Sequence, residues 1–330
     1  MRISYDHESI RLTGRWDVSK KEYAETTTTG AYLEFAFEGD MAIVRFDITT
    51  NATPLLHLWI EVDGGVRVEA PIDRYLRIKA PTVGKHICRV IYKGGTENDR
   101  RWYHPLTGKV SFIGIDVEKP LPIGEDTRKV IEFVGDSITE GVLVDDDYCG
   151  DGEKVFYIDM LNRIYQDDVC ATYAWLTAER LNLRPVFMGY GAVGIGQVGM
   201  GRVPAVVDSY PYNFENSPVT RPCPDIVMIN HGANDRKRET EEYLAGYEKL
   251  LDTIRAMNPK AKIVSLSAFC GAHHEALASF IPAYNLKNGT SVAYIDSNGW
   301  IPVSPLHPLR DGHKTVAEHL IPILKEILEN

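Results

Sequence analysis

Hydrophobic and polar positions change rhythm part-way along the chain. In the first 120 residues the apolar positions alternate or run at strand length, in Ala31–Phe37, Ala42–Ile48, Leu56–Val62, Arg74–Lys79, Cys88–Tyr92 and Val110–Ile115. Turns such as Glu38-Gly39-Asp40 and Asp63-Gly64-Gly65 separate these runs, with no helical period between them. Short strands at this spacing predict a β-sandwich. A Pro/Gly stretch, Lys119–Gly124, then interrupts the pattern, so the boundary is set between residues 1–122 and 123–330. Beyond it, apolar runs near 129–134, 185–189, 225–230, 261–267 and 292–296 alternate with helical spacing. Ala171, Ala174, Trp175, Ala178 and Leu181 show that spacing, as do Tyr243, Tyr247, Leu250, Ile254 and Met257 before the Asn258-Pro259 stop. Strand and helix in alternation predict an α/β, doubly wound parallel sheet whose ligand site lies at the C-terminal ends of the strands.

Four segments at those positions carry chemistry. Gly135-Asp136-Ser137 follows the run Val130–Val134 and places a serine hydroxyl on a strand-to-loop turn. A hydroxyl needs a base to become a nucleophile and donors to hold the oxyanion it creates. His307, in Leu306-His307-Pro308 ahead of the last helix, is the candidate base, and Asn234, in Gly232-Ala233-Asn234-Asp235, is a candidate oxyanion donor. Small residues in Gly189–Gly194 let a backbone N–H approach a ligand, so one of these glycines is expected to be the second donor. His313, just beyond, is expected to support structure.

Serine, glycine, asparagine and histidine in this order resemble the SGNH (GDSL-type) hydrolases over roughly the C-terminal two hundred residues. Four motifs in order with matching strand context are more specific than any one of them. The resemblance implies Ser137 as nucleophile, His307 as base, and an oxyanion hole of Ser137, Asn234 and Gly194, with Gly191 as the alternative. The family usually has an aspartate three residues before its histidine, where this chain has Ser304. Asp296 and Asp311 are nearby without that spacing, so Asp296, Ser304 and Asp311 stand as possible orienting groups beside a Ser-His dyad held by a backbone carbonyl. A jelly-roll-like β-sandwich ahead of an SGNH (flavodoxin-like) domain further resembles carbohydrate esterase family 2. Its members remove acetyl groups from plant polysaccharides and can lack the triad aspartate. Gly14-Arg15-Trp16, the Val62-Asp63-Gly64 turn and Ser304 suit that comparison.

Composition narrows the partners. With 330 residues and a formal charge of −10, without a basic run, the chain does not fit nucleic acid or an anionic membrane; a neutral substrate fits better. The N-terminus has no apolar leader core and no stretch approaches a membrane span, which points to a cytoplasmic protein. Five scattered cysteines, Cys88, Cys149, Cys170, Cys223 and Cys270, read as buried free thiols. No cofactor or metal is expected. His274-Glu275 lacks a second ligand at helical spacing, and Asp145-Asp146-Asp147 lacks the remaining EF-hand ligands. The Gly189–Gly194 match to G-x-G-x-x-G is followed by further glycines rather than a helix pattern, against a dinucleotide. Trp300, Tyr190, His273 and Trp102 are candidates for stacking on a sugar ring.

The function expected is a serine esterase that deacetylates manno- or xylo-type oligosaccharides. The alternatives are a lipid-type or acyl-CoA thioester hydrolase of the same class, and a non-catalytic carbohydrate-binding protein. The sequence does not set the oligomeric state.

Overall fold

The computed structural model describes residues 1–145, 160–220 and 223–329. Its first part contains β1 (Arg2–Ser4), β2 (Ile10–Thr13), β3 (Ala24–Thr26), β4 (Tyr32–Phe46), β5 (His57–Val62), β6 (Val68–Pro71), β7 (Tyr75–Gly94) and β8 (Val110–Leu121). All of them pair antiparallel in one network, β1-β8-β4-β7-β5-β6, with β2 against β4 and β3 against β8. Two expected strand breaks do not occur. Ala31–Phe37 and Ala42–Ile48 fall largely in a single 15-residue strand, and Arg74–Lys79 continues through Cys88–Tyr92 in a 20-residue one. Gly39 explains the first case: its φ of 142° is open to glycine and strained for other residues, and it sits at a register shift between β4 and β7. The strand therefore bends at a bulge instead of leaving the ladder. Phe35, Phe37, Val44, Phe46 and Phe112 fill the core beneath.

The second part contains strands β9 (Val130–Gly135) and β10 (Arg184–Gly189), a small hairpin of β11 (Tyr212–Phe214) and β12 (Ser217–Pro218), then β13 (Ile226–Asn230), β14 (Lys262–Leu266) and β15 (Ala293–Ile295). Its helices are α1 (Ser137–Glu140), α2 (Met160–Gln166), α3 (Tyr173–Arg180), α4 (Val206–Ser209), α5 (Thr240–Met257), α6 (His274–Asn288) and α7 (Arg310–Glu329). The larger sheet is wholly parallel, in the order β10-β9-β13-β14-β15, which is 2-1-3-4-5 by order of appearance. Side chains alternate across it. Phe133, Phe187, Met228 and Val264 pack under α3 and α7, whereas Val134, Met188, Val227 and Ile263 pack under α5 and α6. Strands covered on both faces read as largely apolar runs, which is why the central segments stand out in the sequence although β9 carries Glu132 and β14 carries Ser265.

The two parts share their cores: Tyr32 and Ile91 join the α3 side of the sheet, and Trp102 and Leu106 the α5 side. They also share charge. Glu132, in the middle of β9 and fully buried, accepts a hydrogen bond from Arg15 Nε at 3.0 Å and from the Tyr210 hydroxyl at 2.7 Å, while Arg15 Nη1 donates to the Tyr210 carbonyl at 2.7 Å. Cys88 and Cys170 are buried free thiols, but Cys223 is exposed and Cys270 half-buried, because both lie at sheet and loop margins rather than in a core; Cys149 lies outside the described residues. Among the described residues no helix is long and apolar enough to cross a membrane.

Removing one partner of a buried ion pair strands the other charge and costs about 3–5 kcal/mol. Arg15→Ala should therefore lower the free energy of unfolding by about 3–5 kcal/mol, read as a fall in the urea midpoint at unchanged slope. A midpoint within error of the parent protein would show that Glu132 does not depend on Arg15.

Candidate active site

The three strands that carry the site end level with one another, because Gly135 pairs with Gly189 on one side and with Asn230 on the other. The turn after β9 therefore lies between the loops after β10 and β13. Asp136 caps α1, its carboxylate accepting the Ile138 N–H at 3.0 Å, and Gly141 ends it at φ 90°. A Cβ on Gly135 would lie 2.0 Å from Thr139 Oγ1, so only glycine permits so tight a turn. Ser137 is thus the first residue of a single helical turn.

His307 reaches it from the loop between β15 and α7, with Nε2 at 2.8 Å from Ser137 Oγ. The imidazole is held well below its ordinary value, at about 4. Burial is the main cause; Glu97 pulls the other way, and the guanidiniums of Arg163 and Arg236 push further down. Glu97 was missed in the sequence because it belongs to the β7–β8 loop, 210 positions before the histidine it acts upon. Its carboxylate pairs with Arg163 Nη2 at 2.5 Å. The three groups considered for orienting His307 lie otherwise. Asp296 accepts from Ser267 Oγ at 3.2 Å and the Asn298 N–H at 3.0 Å and stands 3.5 Å from His274 Nδ1, and Ser304 and Asp311 are exposed. His313 is structural in its contacts: Nδ1 accepts the Tyr173 N–H at 3.1 Å, the ring stacks on Tyr173, and burial lowers it to about 3.

The flanking loops are tied to each other. Asn234 Nδ2 donates to the Val193 carbonyl at 3.1 Å, while the buried Asp235 carboxylate accepts the Ile195 N–H at 2.6 Å, the Gly196 N–H at 3.1 Å and Arg238 Nε at 3.0 Å. A Cβ on Gly194 would lie 2.4 Å from Asp235 Oδ2, so the glycine makes room for this clamp. Both glycines expected to offer an N–H are engaged in these folds of the loop. Gly194 donates to the Gln197 carbonyl at 3.0 Å, and Gly191 donates to Glu140 Oε2 at 2.6 Å. Ala192 between them adopts φ 58°, and its N–H has no hydrogen-bond partner among the described residues.

Glu140, at the end of the serine turn, is fully buried against Arg101, and burial raises its carboxyl to about 7 although Arg101 opposes the rise. Arg101 also lies over the Tyr190 ring at 4.9 Å. This removes two of the four aromatic candidates from any sugar-facing position: Tyr190 is buried with its hydroxyl 2.8 Å from Thr27 Oγ1, and Trp102 is buried against Tyr212. Thr27 and Arg101 cover Tyr190, and the β11–β12 hairpin covers Trp102, which no local pattern announces. His273 remains half-buried at the rim, with Nε2 2.9 Å from the Asp235 carbonyl and its ring on Tyr243. Trp300 is half-buried against His319. Asp145 pairs with Arg310, whereas Asp146 and Asp147 lie outside the described residues, which contain no cluster of three metal-binding side chains.

Known proteins resemble this chain in sequence and in fold. An acetylxylan esterase / glucomannan deacetylase from Cellvibrio japonicus is 24% identical over 264 residues, 76% of this chain and 69% of that protein. The fold is that of a family two carbohydrate esterase from Cellvibrio japonicus, with a TM-score of 0.78 at 19% identity over 100% of this chain and 98% of the other. A family two carbohydrate esterase from Clostridium thermocellum in complex with cellohexaose gives 0.77 at 21% identity over 97% and 99%. An acetyl xylan esterase from Butyrivibrio proteoclasticus gives 0.80 at 17% identity over 100% and 98%. The GDSL-like Lipase/Acylhydrolase family matches residues 133–315, from the strand that delivers Ser137 to the helix that follows His307, and the chain belongs to it.

Proposed function

We propose that the protein is a serine esterase that removes acetyl groups from acetylated manno- or xylo-type oligosaccharides. The observation that carries this reading is the 2.8 Å contact of Ser137 Oγ with His307 Nε2, in a turn flanked by the Asn234 loop. His307 takes the hydroxyl proton as Oγ bonds to the ester carbonyl carbon, and the carbonyl electrons move to oxygen. The Ser137 N–H at the start of α1 and the Asn234 amide hold that oxyanion, with a third N–H from the 191–194 loop. His307 then protonates the departing sugar oxygen as the C–O bond breaks, leaving acetyl on Ser137. Water, activated by the same imidazole, releases acetate. The similarity to proteins described as acetylxylan esterases and family two carbohydrate esterases supports acetylated carbohydrate as substrate. In this reading residues 1–122 form a jelly-roll-like sandwich and residues 123–330 the hydrolase domain, the first supplying walls to the second through Glu97 and Arg101.

Ser137→Ala should reduce kcat on an activated acetate ester by several orders of magnitude. Asn234→Ala, which removes one oxyanion donor, should cost about 10²–10³ in kcat. Asp296→Asn, Ser304→Ala and Asp311→Asn should retain most activity. Substantial turnover by Ser137→Ala would refute the assignment of the nucleophile.

The pH dependence follows from His307. Its neutral form is the base, so kcat/KM should hold to well below pH 6.5 and fall only as the imidazole protonates near 4. Stability should move earlier. The unfolded imidazoles of His307 and His313 take up protons from about 6.5 downward while the folded ones resist, so both contribute stability at neutral pH that is lost as pH drops. Kinetics and denaturation at matched pH values test this; an activity midpoint at or above 6.5 would contradict the depressed base.

An acyl groove would gain about 0.8 kcal/mol for each buried CH₂ and favour octanoate over acetate. A pocket closed around acetyl predicts the opposite, with kcat/KM falling sharply beyond propionyl esters. A rise toward octanoyl would select the lipid-type reading, and turnover of acetyl-CoA without acetylated sugars the thioesterase.

A further inference from the structure

The loop that presents Asn234 carries an arginine two residues on. Arg236 is exposed, but its guanidinium is folded back onto its own loop, with Nη1 2.5 Å from the Ala233 carbonyl. Its neighbour Arg238 is engaged by Asp235 and by Glu242 at 3.3 Å, and both Asp235 oxygens are turned to Ile195, Gly196 and Arg238. Among the described residues no carboxylate pairs with Arg236, and exposed Lys237 adds to the local positive charge. Among the described residues an acidic chain, with a formal charge of −10, therefore keeps a cation without a carboxylate partner, near enough to act on His307.

That placement opposes the chemistry unless something neutralises it. His307 must become an imidazolium as it takes the Ser137 proton, and burial together with the Arg163 and Arg236 guanidiniums disfavours that form while Glu97 favours it. An anion seated on Arg236 would remove one of the opposing charges at the moment the imidazolium forms. Arg236 would then act on both binding and turnover, and only for substrates that bring the anion with them. A guanidinium fork suits a planar carboxylate, which it can hold through two parallel N–H bonds.

We propose that Arg236 is a specificity-determining residue that receives a sugar carboxylate, so that the preferred substrates are acetylated oligosaccharides bearing a uronic acid close to the acetylated residue. This rests on the acetyl-esterase reading and departs from the neutral substrate that net charge alone suggests.

The test compares acetate release from acetylated xylo-oligosaccharides with and without a glucuronic acid branch, for the parent protein, Arg236→Ala and Arg236→Lys, at low and raised salt. Both substrates use the same base, so any general effect on His307 cancels in the ratio of their kcat/KM values. The parent protein should prefer the acidic substrate by about tenfold or more, the worth of one charge-assisted hydrogen bond. Arg236→Ala should bring the ratio near one, and Arg236→Lys should fall between because it keeps charge without the fork. Salt should erode the parent's preference. A ratio near one in the parent, or a ratio unchanged in Arg236→Ala, overturns the proposal while leaving the esterase reading intact. An acetylated sugar phosphate preferred over the uronate overturns the carboxylate assignment. Absence of acetate release from both oligosaccharides and from 4-nitrophenyl acetate overturns the esterase reading and the proposal with it.

Discussion

Glu140 closes the turn that Ser137 opens, and it is a carboxylate buried in a place where an unpaired charge would be intolerable. Arg101, delivered from the β7–β8 loop, makes it tolerable, and Gly191 adds an N–H at 2.6 Å. The pair joins three things that would otherwise move separately: the serine turn, the glycine-rich loop after β10, and the long antiparallel sheet. Thr29 Oγ1, donating to the Glu140 carbonyl at 3.2 Å, and Thr27, beside Tyr190, repeat the attachment from another point of the first part. Breaking a buried pair is far costlier than its net contribution suggests, because the residue left behind keeps its desolvation penalty. The geometry around Ser137 is therefore set from outside the parallel sheet as much as from within it.

Around His307 the charges are balanced rather than aligned. Glu97 and Arg163 form a pair whose two members act on the imidazole with opposite sign, and Arg236 tilts the sum toward the neutral ring. A neutral ring is the resting form a base requires. The same tilt raises the cost of the protonated form during the reaction, so taking the proton from Ser137 is the demanding half of the transfer and giving it to the leaving oxygen the easy one.

Much of this was legible in the sequence wherever a segment is buried on both faces or must turn sharply. The runs Val130–Val134 and Val227–Ile229 could be read because they are apolar on both faces apart from Glu132, and the serine, asparagine and histidine could be placed because a parallel sheet brings its loops to one edge. Features decided at long range were not legible. Gly39 reads as a turn glycine but serves as a bulge, since nothing local reveals that the strand's partner continues past it. Tyr190 and Trp102 look like sugar platforms until the two parts of the chain pack together, Tyr190 against Thr27 and Arg101 and Trp102 against Tyr212. Glu97, Arg163 and Arg236 have no spacing signature, because charge acts through space; Arg236 alone left a hint, as a basic residue beside Asn234 in an acidic chain. The glycine N–H groups at 191 and 194 could not be assigned from composition, because the partners that engage them, Glu140 and Gln197, are fixed by the path of the loop.

The buried link between Arg15 and Glu132 bears on how such a chain can be inherited. The Pro/Gly stretch near residue 120 has the texture of a recombination joint, a place where one module is exchanged for another. A hydrolase half passed on by itself, however, would carry Glu132 and Glu140 without either arginine, two acids left with the Tyr210 hydroxyl and the Gly191 N–H against their charge. A new N-terminal module would succeed only if it arrived with a guanidinium at both places. Substitutions at Arg15 and Arg101 should then track those at Glu132 and Glu140 across relatives.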